Sequence, residues 1–306
     1  MSDAKITEGK IAFPYNGETF ETYYKLVGDI TPTSLPPLIV VHGAPGTSHD
    51  YLVPIADLAA GPSPRPVLFY DQIGSSRSTH LPDKPDEFWS FELFIAELQN
   101  IVRHFQVEDA YHLLGHSWGG MIVAELVVRH HPKGLKSIVL ANTLADAASY
   151  NAKIKELEWA LPGGVGDTIK KHEQEGTTND PEYKQAVMVF YQTHACRVKP
   201  FPKEILFTLS QQAGDGERIW AALEKSIFND IWDFRDQIHL IDAPGLLING
   251  EYDYMADNVC GPFFWKMNRI KWVKFAESSH MPHWEERVRY MDVLRTFLSL
   301  WDRSVV

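Results

Sequence analysis

Cysteine is scarce in this chain of 306 residues, which argues against a disulfide-rich protein and against a zinc-binding protein. Only Cys196 and Cys260 are present, which is too few for a disulfide framework, and we expect both to be reduced thiols in the core. The Cys and His residues do not show the paired spacing of a zinc site. We therefore predict no metal and no other cofactor.

Positive charge is also in short supply. The sequence has 29 Lys and Arg against 40 Asp and Glu, which gives a formal net charge of -11. Such a chain repels phosphate groups, so we expect neither nucleic acid nor a membrane as a partner. A small molecule is the expected substrate, and the oligomeric state is left open.

Long apolar runs are missing as well. No run approaches the roughly 18 apolar residues of a membrane-spanning helix. Residues 1–5 lack the apolar core of a signal peptide, so the sequence predicts a cytoplasmic location.

The residues that are present favour a folded α/β protein, with 44% hydrophobic and 23% charged content. Residues 5–28 alternate like an antiparallel hairpin that turns at Asn16 and Gly17. Residues 37–41 and 66–70 are continuous apolar runs, which are typical of parallel strands buried on both faces. Helix-like segments alternate with these runs and predict a mostly parallel, doubly wound sheet.

Residues 143–233 interrupt this alternation, because they lack β-branched runs and read as several helices rich in aromatic side chains. We predict a helical cap at 143–233, inserted into a core formed by residues 1–142 and 234–306. A cap can exclude water from a site and select its substrate. Ordinary helix packing is the alternative for each aromatic residue predicted to line the pocket: Trp159, Phe190, Tyr191, Trp220 and Trp232.

The motif G-x-S-x-G at residues 115–119 joins a predicted buried strand to a predicted helix. This arrangement is typical of a nucleophile elbow, in which Ser117 takes a strained conformation that exposes its hydroxyl. The flanking Gly115 and Gly119 avoid collisions with the neighbouring backbone. A plain glycine-rich turn is the alternative. By strand alternation, His116 is expected to point away from the site.

Three further loops follow predicted strands and supply candidate partners for this serine. The glycine-rich turn at 42–46 offers the backbone N–H of Gly43 or Ala44, which with that of Trp118 would form an oxyanion hole. Asp253 and His280 follow the last two strands. Ser, Asp, His is the order of the α/β-hydrolase triad.

Other acidic and histidine residues are alternatives for the same roles. His283 is the alternative base, and Asp257 is the alternative acid. Asp71 follows a strand that precedes the elbow, so we expect it to brace the loops beside the site by accepting backbone hydrogen bonds.

Five motifs in this sequence resemble the proline iminopeptidase family of α/β hydrolases, which includes related amino-acid amidases. The resemblance covers roughly residues 30–140 and 235–300 and implies an α/β-hydrolase fold with Ser117, Asp253 and His280 as the triad. The motifs are HGAPG at 42–46, DQIGSS at 71–76, GHSWGG at 115–120, GEYD at 250–253 and SSHM at 278–281.

The sequence departs from the family pattern in two places. Ala44 replaces a glycine of the usual oxyanion motif, where only the backbone donor is needed. The family's aminopeptidases are expected to hold the substrate ammonium with two glutamates, one directly after the catalytic aspartate and one in the cap. Here Tyr254 takes the first position, and only Glu217 or Glu224 is offered for the second, at shifted spacing.

These observations predict a serine hydrolase that cleaves an amide or ester bond of a small, largely apolar substrate through an acyl-enzyme intermediate. One alternative is an N-terminal aminopeptidase of the proline iminopeptidase type. The other is a lyase-like or ligand-binding protein that uses the pocket without hydrolysis. Ser117 at the elbow excludes the dehalogenase and epoxide-hydrolase branches, which need an aspartate there.

Overall fold

The computed structural model describes residues 4–302. Its single eight-stranded sheet has the order β1-β2-β4-β3-β5-β6-β7-β8. Strands β1, β2 and β4 pair antiparallel in that order, and every other pair is parallel. The strands are β1 Ile6–Tyr15, β2 Glu18–Val27, β3 Leu38–Val41, β4 Val67–Tyr70, β5 Tyr111–His116, β6 Leu135–Ala141, β7 Gly245–Gly250 and β8 Ile270–Phe275. The predicted mostly parallel α/β-hydrolase sheet is confirmed.

Helices flank this sheet on both faces. The described α-helices are α1 Phe91–His104, α2 Trp118–His130, α3 Ala147–Trp159, α4 Val165–Glu175, α5 Pro181–Phe190, α6 Lys203–Ser210, α7 Glu217–Leu223, α8 Asp257–Lys266, α9 Pro282–Glu285 and α10 Arg287–Ser299. Short 3₁₀-helices occur at Asp50–Ala59, Asp86–Phe88 and Ile238–Leu240. Turns of π type occur at Tyr191–Ala195 and Glu224–Phe228, and an irregular turn at Gln212–Gly216.

The alternation of side chains along β3 divides the core into two layers. Ile39 and Val41 belong to an apolar cluster with α1, α2 and α8, whereas Leu38 and Val40 belong to a second cluster with the 3₁₀-helix 50–59 and α10. All four residues are fully buried. A strand covered on both faces needs a continuous apolar run, which is the pattern that predicted β3 and β4.

The chain between β6 and β7 is helical, and its two ends are hydrogen-bonded to each other. Ala147 N–H donates to Trp232 O at 2.8 Å, and Phe234 N–H donates to Ala145 O at 3.0 Å. Asp146 and Asp233 form an isolated antiparallel bridge there. The division into a core and a cap at 143–233 stays a prediction. None of the helices in residues 4–302 is long and apolar enough to cross a membrane.

Candidate active site

The elbow holds Ser117 between β5 and α2 in a conformation that most residues avoid. Its φ is 55° and its ψ is -121°. A Cβ at Gly119 would lie 2.1 Å from Val41 O, and one at Gly115 would lie 2.3 Å from Gly119 O. Only glycine fits at these two positions, because a real Cβ never approaches backbone oxygen so closely. A strained conformation of this kind costs about 1–3 kcal/mol and is typical of functional sites.

His280 and Asp253 form a buried hydrogen-bonded pair. His280 Nδ1 lies 2.8 Å from Asp253 Oδ1. The carboxylate also accepts Met255 N–H at 2.9 Å and Asn142 Nδ2–H at 2.7 Å. The carboxylate oxygens act as acceptors toward all three neighbours. His280 must therefore donate to Asp253, which places a proton of its ring on Nδ1. Within residues 4–302, His280 Nε2 makes no hydrogen bond, so this nitrogen is available to accept a proton.

His280 is also held by two neighbours other than Asp253. The Tyr254 ring stacks on the His280 ring with 4.2 Å between centroids and 27° between planes. His280 N–H donates to His194 O at 3.2 Å. Tyr254, which the sequence analysis predicted to bind substrate, therefore contacts His280 directly.

The loop after β3 is fixed by a hydrogen-bond network that the sequence did not reveal. Gln72 N–H donates to His42 Nε2 at 3.0 Å, and His42 Nδ1–H donates to Gly43 O at 2.8 Å. Gln72 also bonds His42 O and Trp118 Nε1. Burial lowers the pKa of His42 to about 4, so this imidazole is neutral at pH 7. The one feature of the sequence that pointed to His42 is its position directly after a buried strand.

The predicted oxyanion donors separate into two groups. Gly43 N–H donates to Tyr51 Oη at 2.7 Å, so the structure contradicts its proposed role. Ala44, at φ 46°, and Trp118 make no hydrogen bond through their N–H within the described part of the chain. Trp118 N–H also lies at the N-terminus of α2, where the helix dipole favours negative charge.

Asp71 braces the loops beside the site, in agreement with its expected role. It accepts His49 N–H at 3.0 Å and Arg77 N–H at 3.3 Å, and it pairs with the Arg77 guanidinium at 2.9 Å. Burial alone would raise the pKa of Asp71, but His49 and Arg77 outweigh it and hold that pKa below the usual range.

A cavity of about 100 Å³ opens beside Ser117 and His280. Among the described residues that line it, none is Asp or Glu. Tyr191 and Tyr254 are the predicted substrate residues found in its wall. The other lining residues are Ala44, Thr47, Tyr51, His116, Ala195, Cys196, Phe201, Ile205, Thr208, Leu209, Gln212 and Met281.

The remaining aromatic candidates lie outside this wall. Phe190 is buried behind it and stacks on Tyr254 at 6.0 Å. Trp159 is 52% exposed under the Lys170 ammonium. Trp220 stacks on Phe228 at 5.0 Å.

Two glutamates and one further aromatic residue that were predicted to bind substrate also lie outside the cavity. Glu217 and Glu224 are exposed and do not line the cavity. Trp232 donates to the buried Glu125 at 2.7 Å and packs in the core.

The His116 side chain does not have the predicted direction, and neither alternative acid or base contacts Asp253 or His280 through a hydrogen bond within the described residues. His116 does not point away: it lines the cavity and lies 2.9 Å from His280 O, because the strand ends at this residue and the elbow redirects the chain. His283 donates to Tyr51 O at 2.9 Å, and Asp257 pairs with Asn249 and Lys274. Neither alternative therefore takes part in the His280–Asp253 pair.

Residues 36–287 match the sequence family described as alpha/beta hydrolase fold, and the chain belongs to this family. It is an enzyme of the α/β-hydrolase type. It is similar over nearly its whole length to proline iminopeptidases, which confirms the resemblance found in the motifs. The relative from Clostridium botulinum is 33% identical over 300 residues, 96% of this chain and 99% of the relative. That from Lactobacillus delbrueckii subsp. lactis is 30% identical over 299 residues, 96% and 98%.

Solved structures agree with these relatives. The structure of VinJ has a TM-score of 0.85 and 30% identity, and it covers 96% of this chain and 99% of its own. The proline iminopeptidase of Mycobacterium smegmatis has a TM-score of 0.84 and 32% identity, with the same coverage.

Proposed function

We propose that this enzyme is a serine hydrolase with Ser117, His280 and Asp253 as its catalytic triad. The observation that carries the proposal is the buried His280–Asp253 pair at 2.8 Å beside a cavity that Ser117 also lines. Ser117 Oγ bonds to the substrate carbonyl carbon while its proton passes to His280 Nε2. The imidazolium then gives this proton to the leaving group as the C–N or C–O bond breaks.

Water completes the cycle in the reverse sense. His280 takes a proton from water, the hydroxide attacks the acyl-enzyme carbonyl, and the proton returns to Ser117 Oγ as the acyl group leaves. In both halves, the N–H groups of Ala44 and Trp118 donate to the oxyanion. Such a donor typically lowers the barrier by about 3 kcal/mol.

The walls of the cavity support a small, uncharged acyl group as the substrate. The described wall offers apolar side chains, hydroxyls and no carboxylate. Burial raises the pKa of Tyr254 well above its usual value, so this phenol is neutral and cannot offset a buried ammonium. An ammonium left without a counter-charge there costs several kcal/mol.

A second candidate is an N-terminal aminopeptidase, which is favoured by relatives named proline iminopeptidase. This function needs a carboxylate for the substrate ammonium. Glu217 and Glu224 are exposed, and one of them would have to turn toward the cavity when substrate binds. Substrate preference therefore separates the two candidates.

The test compares p-nitrophenyl esters and p-nitroanilides that carry a free, a blocked or no α-amine. We expect blocked and amine-free substrates to be cleaved at least as fast as free-amine substrates. Ser117→Ala should lose at least about a thousandfold in kcat. Ser75→Ala is the matched control, because its hydroxyl is also buried but has no partner in the described chain. A free-amine preference of about a hundredfold, or roughly 2.7 kcal/mol, would favour the aminopeptidase.

We also infer that residues 143–233 act as a cap over this cavity and that the enzyme is cytoplasmic. The first inference is supported by Tyr191, Phe201 and Ile205, which lie between β6 and β7 in the chain and line the cavity. The second rests on the sequence alone.

A further inference from the structure

Building on the proposed triad, we propose that Tyr51 and His116 form a buried hydrogen-bond relay. The relay positions the oxyanion loop (residues 42–46) and the base loop (residues 276–284) against the nucleophile. Tyr51 lies in the 3₁₀-helix Asp50–Ala59, which follows the oxyanion loop. His116 is the last residue of β5 and directly precedes Ser117. Both side chains are almost fully buried.

The relay consists of three consecutive hydrogen bonds. Gly43 N lies 2.7 Å from Tyr51 Oη. Tyr51 Oη lies 2.8 Å from His116 Nδ1. His116 Nε2 lies 2.9 Å from the carbonyl oxygen of His280. The relay therefore starts in the oxyanion loop, passes beside the nucleophile and ends on the backbone of His280.

Donor and acceptor chemistry allows one proton arrangement in this relay. The His280 carbonyl can only accept, so His116 Nε2 carries a proton. Burial, with His280 and His283 nearby, lowers the pKa of His116 well below its usual value, so the ring is neutral and Nδ1 accepts. Burial also raises the pKa of Tyr51, which keeps its proton. Tyr51 thus accepts Gly43 N–H and donates to His116.

The main chain of Tyr51 makes a second connection to the base loop. Its carbonyl oxygen accepts His283 Nε2–H at 2.9 Å and Trp284 Nε1–H at 2.6 Å. Both residues follow His280 closely in the chain. Tyr51 therefore ties the segment after the oxyanion loop to the base loop through its side chain and through its backbone.

The relay has a direct consequence for the oxyanion hole. Gly43 N–H donates to Tyr51, so Ala44 N–H is the one of the two predicted loop donors that has no hydrogen bond within residues 4–302. Ala44 has a φ of 46°, so the loop turns tightly here and the direction of its N–H depends on how Gly43 is held. Loss of the Tyr51 hydroxyl should misalign this donor, whose interaction is made mainly in the transition state.

The experiment measures kcat and KM with p-nitrophenyl acetate for wild type, Tyr51→Phe and His116→Gln. Tyr51→Phe keeps the ring and removes two of the three bonds. We expect kcat to fall roughly 10- to 100-fold, less than for outright loss of an oxyanion donor, with KM changed by less than about threefold. Tyr290→Phe is the matched control, because Tyr290 is buried in the same apolar cluster and its hydroxyl has no partner among the described residues. It should stay within about twofold of wild type.

The double variant gives a readout that a merely structural role would not move. Because both residues act in one relay, the loss in the double variant should not exceed the larger single loss by more than about twofold. The relay would be overturned if the loss in kcat of the double variant equalled the product of the two single losses. A change in KM alone, or equal kcat for Tyr51→Phe and Tyr290→Phe, would also overturn it. His116→Gln decides the matter if Tyr51→Phe does not fold.

These outcomes are separable from failure of the proposed triad. If wild type has no hydrolytic activity and does not differ from Ser117→Ala, the proposed triad is wrong and the relay is wrong with it. An active wild type with an unaffected Tyr51→Phe would remove the relay alone.

Discussion

Three donors surround the Asp253 carboxylate, so an amide at this position would place one N–H against another. Asp253→Asn should therefore turn the His280 ring to the wrong tautomer. We expect kcat to fall by about 10⁴ with little change in KM, because the lost interaction is made mainly in the transition state. Steady-state kinetics with a neutral ester measures both constants.

Asp257→Asn is the matched control for this prediction. Asp257 follows the same strand but pairs with Lys274 at 3.1 Å rather than with His280. Its kcat should stay within about twofold of wild type. Retention of more than a tenth of kcat in Asp253→Asn, or an equal loss in Asp257→Asn, contradicts the assignment of the acid.

Tyr254 offers a second test at the scale of one side chain. Tyr254→Glu places a carboxylate beside His280, where the family's aminopeptidases are expected to have one. We expect the ratio of free-amine to blocked-amine kcat/KM to rise at least about tenfold, or roughly 1.4 kcal/mol. Tyr254→Gln introduces a side chain of the same shape as glutamate but without its charge. It should leave the ratio of free-amine to blocked-amine kcat/KM near that of wild type. Equal ratios for the two variants would show that charge is not the determinant.

Among the elements, the β5–α2 elbow and the β1–β2 hairpin were predictable because their signals are local. Asn16 and Gly17 turn the hairpin with φ values of 50° and 82°, as a two-residue turn of this type requires. The direction of His116 was not predictable, because it depends on Tyr51 and His280, which are far away in the chain. The same limit applies to Trp159, since its exposure depends on which face of α3 meets the core.

A buried carboxyl group links three elements of the core. Glu97 of α1 accepts Ile73 N–H at 3.0 Å and bonds the Thr22 hydroxyl of β2. Burial raises its pKa from 4.5 to about 8. Between these two values the unfolded chain ionises while the folded protein keeps the proton. The free energy of unfolding of wild type should therefore fall, relative to Glu97→Gln, by about 1.4 kcal/mol per pH unit as pH rises from 5 to 7.

Urea unfolding at pH 5, 6 and 7 measures this difference. Glu87→Gln, at an exposed position, is the surface control. A constant difference between wild type and Glu97→Gln would show that Glu97 is ionised in the folded enzyme.

At the scale of the whole molecule, the helical chain between β6 and β7 contacts the base loop through residues near the turn 191–195. Arg197 donates to Glu277 O at 3.0 Å and covers the Tyr252 ring at 3.7 Å. Arg197→Ala should therefore increase amide hydrogen exchange in residues 277–281. Arg218→Ala is the control, because Arg218 also joins this segment to the core but bonds Lys84 O. Equal exchange at 277–281 in both variants would contradict this coupling.

The sequence predicted the sheet, the helical excursion and the order of the candidate triad because each follows from periodicity or chain order. It did not predict the use of Gly43 N–H or the wall of the cavity. Both depend on contacts between the loop after β3, the 3₁₀-helix 50–59 and the chain between β6 and β7. Such contacts leave no local pattern.

The central claim is that Ser117 is a covalent nucleophile, and reaction with a fluorophosphonate probe tests it most directly. Intact-mass measurement should show one adduct per wild-type chain, and peptide mapping should place it on Ser117. Ser117→Ala should remain unlabelled while keeping the wild-type melting temperature. An adduct that persists in Ser117→Ala, or that maps to another residue in the wild type, would contradict the account.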